Sequence, residues 1–265
     1  MIKNFRHIEN SYIENFSKKE EKADHIVYWD EKLPDMYAFN CTLVKDSMNR
    51  GEVLSFIAEQ LKNTKTGGKG FLKVLIHPEI VLSDDQKQQL SAMGFSIQTN
   101  LYMEFNTDKI NTFRVNSDCK VIRASKEKDF EYGQRLDVET STKLGMPEDF
   151  ALRKSLRKKE VFQSVNGSLY SYLCYYNNCA VGKCELHIKD GYAKIEDFDV
   201  LEMHRGKGIG TAILKKIIED MIYSGIEHIY LITDKDDTPQ EMYKKLGFSI
   251  IGEEIELFWS KTAEE

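Results

Sequence analysis

The 265-residue chain has only four prolines and an odd number of cysteines, five. No C-x-x-C pair occurs among Cys41, Cys119, Cys174, Cys179 and Cys184. A zinc site or disulfide framework is therefore not expected, and reduced core thiols in a cytosol are. No apolar run reaches membrane-spanning length, and the opening "MIKNFRHIENSYIENF" lacks an apolar signal core. A membrane is excluded as partner and a cytoplasmic location is expected. Basic excess is missing too: the net charge is −6. Binding nucleic acid needs a concentrated basic face, so that class is also excluded. The one basic run, "ALRKSLRKKE" from Ala151 to Glu160, reads as a solvated helix face.

With 41% apolar residues the chain can bury a core, and its length suits two domains. From Lys120 onward, helices and strands alternate. "CKVIRAS" opens as a strand and "KEKDFEYGQRLDVETSTKLG" as a helical stretch with loops. "SLYSYLCYY", "KCELHI" and "AKIEDFDV" follow, joined by Asn-Asn and Asp-Gly turns that imply an antiparallel meander. Ile209, Ile213, Ile217 and Met221 repeat every four residues, giving one apolar helix face that Gly225 can close. "HIYLIT" is continuously apolar, as in a strand buried on both faces. Thr238, Pro239 and Glu241 predict a capping box with proline in the first turn. Gly247 ends that helix before a final strand.

The first half closes in the same order. "MYAFNCTLV", "GEVLSFIAEQLKN", "GFLKVLIHP", a helix capped by Ser83 and Gln86, and "FSIQTNLYMEF" read as strand, helix, strand, helix, strand. The tetrapeptide "GFSI" stands at the last helix-to-strand junction of both halves, at Gly94–Ile97 and Gly247–Ile250. Shared order and shared junction imply a degenerate duplication.

Most of the chemistry lies in "FDVLEMHRGKGIGTAIL", Phe198 to Leu214. A strand enters a loop and close glycines open a strong helix, whose first turn offers unpaired N–H groups and the positive end of the dipole. Glycines let a phosphate approach that backbone. The Lys position fails the Walker pattern, and Thr211 stands where a dinucleotide fingerprint needs its third glycine.

Arg205-Gly206-Lys207-Gly208-Ile209-Gly210 matches R-x-x-G-x-G, and Tyr243-Lys244-Lys245-Leu246-Gly247-Phe248 matches a second motif, Y-x-K-x-G-F. On these motifs the segment from about Lys120 to Ser260 resembles the Gcn5-related N-acetyltransferase (GNAT) superfamily. The resemblance implies the acyl-CoA N-acyltransferase fold, an α/β (α+β) architecture with a mixed, mostly antiparallel twisted sheet flanked by helices. It assigns residues 116–265 to the acetyltransferase domain and 1–115 to a degenerate GNAT-like domain without the coenzyme A loop.

The implied cosubstrate is acetyl-CoA, with no metal. Phe198, Asp199 and Val200 would hold the pantetheine arm through their backbone. Arg205, Gly206, Lys207, Gly208, Ile209, Gly210 and Thr211 would hold the pyrophosphate. Tyr243 occupies the general-acid position that reprotonates the thiolate. Asp236, standing where the family often has Asn, is a further candidate contact to the cosubstrate. The family's strand glutamate falls on Lys194, so Glu196 is the candidate base, with Asp197 and His187 as alternatives. The acceptor would be a small-molecule or peptide amine held by residues of 129–169, where Asp137, Glu139 and Glu148 can attract a cation. A homodimer is compatible with this reading. In the first half, "VKDSMNRGEVLSF" carries a single glycine and Leu90 replaces the tyrosine, so that copy is expected to be a scaffold.

Overall fold

The computed structural model describes residues 2–165 and 167–261, with side chains from Phe5 onward. In chain order the elements are α1 (Ile2–Glu14), β1 (Lys18–Glu21), β2 (His25–Trp29), β3 (Thr42–Val44), α2 (Val53–Thr66), β4 (Phe71–Ile76), α3 (Asp84–Ala92) and β5 (Ser96–Phe105). They continue with β6 (Cys119–Arg123), α4 (Glu127–Lys143), α5 (Glu148–Ser164), β7 (Leu169–Tyr176), β8 (Cys179–Lys189) and β9 (Tyr192–Val200). The last are α6 (Ile209–Tyr223), β10 (His228–Asp234), α7 (Pro239–Leu246) and β11 (Phe248–Ser260).

These elements form two compact units. Of the described residues, one holds those up to Tyr102 with Thr233–Asp237 and those from Ile251 on; the other holds those within Met103–Ile232 and Thr238–Ile250. The division departs from the linear one between 1–115 and 116–265. The reason is a strand: the later part of β11 pairs antiparallel with β4, from Ile255↔Ile76 to Ser260↔Phe71. Ladder hydrogen bonds thus recruit the end of the chain into the first unit.

In the first unit the strand order is β1-β2-β3-β4-β11-β5. The β3–β4 pair is parallel, with Thr42 opposite Val74, while β1–β2 and β2–β3 are antiparallel. Helix α2 buries Val53, Ile57 and Leu61 in a core with Val74, Ile76, Leu90, Phe95 and Trp259. Ser83 and Gln86 form the expected capping box of α3.

In the second unit β10-β9-β8-β7-β6 run in that order, with only β9–β10 parallel. Tight turns with left-handed Asn177, Asn178 and Asp190 join β7 to β8 and β8 to β9, the meander that the turn residues imply. Helix α6 lays Ile209, Ile213, Ile217 and Met221 inward. Each fully buried isoleucine is worth roughly 1.5–3 kcal/mol over leaving it in water.

Both "GFSI" glycines adopt the left-handed region, φ 93° at Gly94 and 103° at Gly247, and the phenylalanine after each is buried. A Cβ on Gly247 would lie 2.7 Å from the Cβ of Lys109, so that junction also needs a glycine for space. Three sequence expectations change. Thr238 takes helical angles and makes no side-chain cap, so the capping box of α7 does not form. Residues 127–143 are one unbroken helix and Glu148 begins the next, leaving only a short link where a longer irregular segment was expected. The basic run of α5 is not simply a solvated face: Lys154 and Lys158 are 7% and 8% exposed.

Candidate functional site

The second unit positions its chemistry at the carboxyl ends of two adjacent parallel strands. β9 and β10 pair from His228↔Tyr192 to Leu231↔Ile195 and no further, although each continues as a strand. Beyond Ile195 they part, and the β9 backbone from Glu196 to Val200 leaves that ladder. On its other side β9 carries a bulge: Glu185 faces Glu196 but Lys183 faces Asp199, so β9 has one residue more than β8. Asp197 sits in this bulge with φ 46°, a conformation uncommon for a residue with a side chain.

The loop after β9 turns sharply into α6. Gly206 and Gly208 take φ 73° and 77°, which only glycine adopts at no steric cost. Helix α6 then starts at Ile209 with no side-chain cap and no acidic residue in its first turn. Its leading N–H groups lack intrahelical partners, and the dipole favours an anion in front of them. Gly210 serves close packing, since a Cβ there would stand 3.0 Å from the Phe198 ring. Gly182 on β8 does the same, because its Cβ would meet Ile213 at 2.9 Å and the Asp199 carbonyl at 3.2 Å. Asn116 fixes the loop from outside by donating its Nδ2–H to the Lys207 carbonyl at 2.9 Å. Arg205 donates from Nε to the Val200 carbonyl at 3.1 Å, and its other two nitrogens have no partner among the described residues. Lys207 reaches 5.9 Å above the Tyr176 ring. Thr211 lies in the first turn of α6.

Tyr243 lies on α7, which follows β10 as the loop follows β9. Its side chain is 8% exposed and meets Phe248 edge-on at 5.8 Å. Asp236 belongs to the segment that counts with the first unit, and its N–H donates to the Asp234 carboxylate at 2.9 Å.

The acidic candidates prove to be engaged. Glu196 pairs with Lys194 at 2.8 Å. His187 is buried, with Nδ1 3.2 Å from the Ser168 carbonyl, and burial with Lys194 nearby pushes its pKa down to about 4. Glu139 pairs with Lys143 on its own helix at 2.8 Å.

Asp197 enters an ionic network with little sign in the order of residues. Its carboxylate is held by Lys158 and, at 2.6 Å, by Lys183. Lys158 also binds Glu185 at 3.0 Å, Lys183 binds Asp137 at 2.9 Å, and Lys154 binds Asp137 at 3.1 Å. The Thr140 hydroxyl lies 3.2 Å from the Asp199 carboxylate. Burial opposes charge on Lys158 and Lys183, but the carboxylates around them outweigh it and raise both pKa values. Burial likewise opposes the Asp197 anion, and Lys158, Lys183 and Lys154 hold its pKa well below the usual range. The spacing of Lys154 and Lys158, one turn apart on α5, was the available signal. Their carboxylate partners lie on α4, β8 and β9, which only the fold brings together.

Glu185 is the exception in this network. Burial, the largest cause, pushes its carboxyl up to about 7 against the pull of Lys158. The folded chain therefore holds this proton more tightly than the unfolded chain. Its contribution to stability is full below about pH 4.5 and is lost as pH rises toward 7. Glu185→Gln is expected to flatten the stability profile across this interval, measured by urea unfolding at several pH values. An unchanged slope would contradict the protonation of Glu185.

Comparison with known proteins agrees with this geometry. The acetyltransferase (GNAT) family profile matches residues 137–248. A protein of Bacillus subtilis (strain 168) described as uncharacterized N-acetyltransferase CgeE is 22% identical over 253 residues, 94% of each chain. A functionally unknown conserved protein from Staphylococcus epidermidis shares the fold with a TM-score of 0.77 at 16% identity, covering 93% of this chain and 95% of that one. A GCN5-related N-acetyltransferase from Kribbella flavida gives a TM-score of 0.70 at 12% identity, covering 98% and 95%. With its bulged and parted strands and its left-handed glycine loop opening α6, the stretch from residue 137 to residue 248 carries a GNAT acetyltransferase domain.

Proposed function

We propose that the second unit transfers an acetyl group from acetyl-CoA to a primary amine of a small molecule or peptide, by direct attack in a ternary complex. The observation that carries this reading is the uncapped start of α6 behind Gly206 and Gly208, beside strands that part after Ile195. The N–H groups from Gly206 to Thr211 would bind the pyrophosphate, and the free Arg205 nitrogens would add charge-assisted hydrogen bonds. The β9 backbone at Phe198, Asp199 and Val200 would bind the pantetheine arm, and an N–H there would stabilise the oxyanion. Tyr243 would return a proton to the departing thiolate, since a phenol with a pKa of about 10 can protonate it.

Glu196 or Asp197 would take the amine proton, either directly or through water. The salt bridges to both carboxylates favour a second reading, in which the chain binds acyl-CoA as a sensing module without turnover. Thiol release from acetyl-CoA with an amine panel separates the two. Under the first reading Tyr243→Phe lowers kcat about a hundredfold, within the range for a lost general acid, while the affinity for acetyl-CoA is retained. Binding without any thiol release would support the sensing module. We further propose that the first unit descends from a second GNAT-like copy. β3-α2-β4-α3-β5 repeats the order β9-α6-β10-α7-β11, each with one parallel strand pair. No paired left-handed glycines precede α2, and buried Leu90 takes the place of Tyr243.

A further inference from the structure

We propose that the first unit carries a binding site for an uncharged, ring-containing amphipathic small molecule, independent of the glycine loop. The site is a cleft of about 650 Å³ between β2, the start of β3, the second half of α2 and the start of β4. Its volume lies within the roughly 300–1,000 Å³ of small-molecule sites, which are mostly apolar with a few placed polar groups.

Trp29, Phe71 and Leu72 form apolar walls suited to a flat ring. Thr42 and Thr64 also line the cleft, only 4% and 7% exposed. Neither hydroxyl has a hydrogen-bond partner among the described residues. A helical threonine ordinarily bonds back one turn, as Thr140 does to the Leu136 carbonyl at 2.9 Å and Thr142 to that of Val138 at 2.8 Å. Thr64 does not. Both hydroxyls stay open to the cleft and are available to hydrogen-bond a ligand seated there.

The charges around the cleft define the ligand class. Lys73 is held by Glu256 at 3.0 Å and Glu31 by Lys18 at 2.8 Å, and Asp30 accepts the Lys32 N–H at 3.0 Å. Burial keeps the Cys41 thiol protonated, its pKa pushed up to about 11. Lys69 also lines the cleft but stays exposed to water, so a ligand charge seated among the apolar walls would give up its hydration for groups that are mostly engaged already. A neutral ring carrying a carbonyl, able to accept from the threonines, fits.

The test uses the full chain and Prodan, an uncharged naphthalene ketone whose emission shifts to the blue in apolar surroundings. Saturable, one-site binding is expected. Gly70 lines the cleft and has open space where a side chain would start, so Gly70→Phe should cover the mouth and abolish binding without unfolding the chain. Thr64→Val should weaken binding roughly three- to tenfold, the worth of one neutral hydrogen bond. Gly208→Glu should leave Prodan binding unchanged. Equal binding by wild type and Gly70→Phe, loss of binding in Gly208→Glu, or tighter binding of the anionic dye anilinonaphthalene sulfonate than of Prodan would each overturn the proposal.

Discussion

Gly208→Glu is expected to weaken acetyl-CoA binding by about a thousandfold or more, and to remove thiol release with it. Two physical effects act together at this position. The backbone holds φ 77°, where a side chain costs roughly 1–2 kcal/mol. The larger is electrostatic: a carboxylate would occupy the positive end of the α6 dipole and repel the pyrophosphate meant for it. Gly208→Ala separates the contributions. It carries the backbone strain without the charge, so it should bind measurably better than the glutamate variant at low salt. Calorimetric titration of wild type and both variants with acetyl-CoA, and thermal unfolding of each, checks this. Equal affinity in wild type and Gly208→Glu would show that the loop binds no acyl carrier.

The second large effect is on stability. Lys158→Met is expected to cost roughly 3–5 kcal/mol, the range for removing one partner of a buried pair. Lys158 is the common partner of buried Glu185 and half-buried Asp197, so its loss leaves both carboxylates with less compensation. Asp197 has a depressed pKa, so its contribution is present above its usual value of 3.8 and is lost as pH falls below that. The Lys158→Met loss should therefore shrink toward acid pH. Adding Asp197→Asn should recover part of it at neutral pH. Lys143→Met gives the contrast, since its pair with Glu139 is half exposed, and such surface pairs contribute about 0–1 kcal/mol. Urea unfolding at neutral and acid pH measures all four chains. A neutral-pH loss for Lys158→Met no larger than that for Lys143→Met would mean that the network contributes little.

The bulge links these two regions. Lys158 and Lys183 hold Asp197 in a left-handed conformation, and the Phe198 that follows it packs against Gly210 at the head of α6. The same pairing that stabilises the strand thereby sets how the β9 backbone meets the loop.

Much of this was legible in the residues. The glycines with positive φ, the apolar face of α6, the turn asparagines and the Ser83 box are local consequences of local chemistry. Spacing and residue type suffice to find such features, and the family motifs are of the same kind. Three things were not legible. Lys154 and Lys158 sit in a run that looks hydrophilic, and whether such a run is wet depends on which carboxylates the fold sets opposite it. Asp197 looks like any acid on a strand until the extra residue in β9 turns it inward. Thr42 and Thr64 look ordinary until a cleft is seen in front of both. The fate of the last strand is of this kind as well, since β11 could pair in either half by its pattern.

By itself, then, the sequence determined the order of the elements, the phosphate-ready loop, and the absence of that loop from the first half. Tertiary structure alone decided that β11 completes the first unit, that half-buried Asp197 is held among lysines, and that Glu196 is salt-bridged. The physical reason is one of range. Backbone conformation and capping are settled within a few residues, whereas burial, charge compensation and strand pairing depend on groups far apart in the chain.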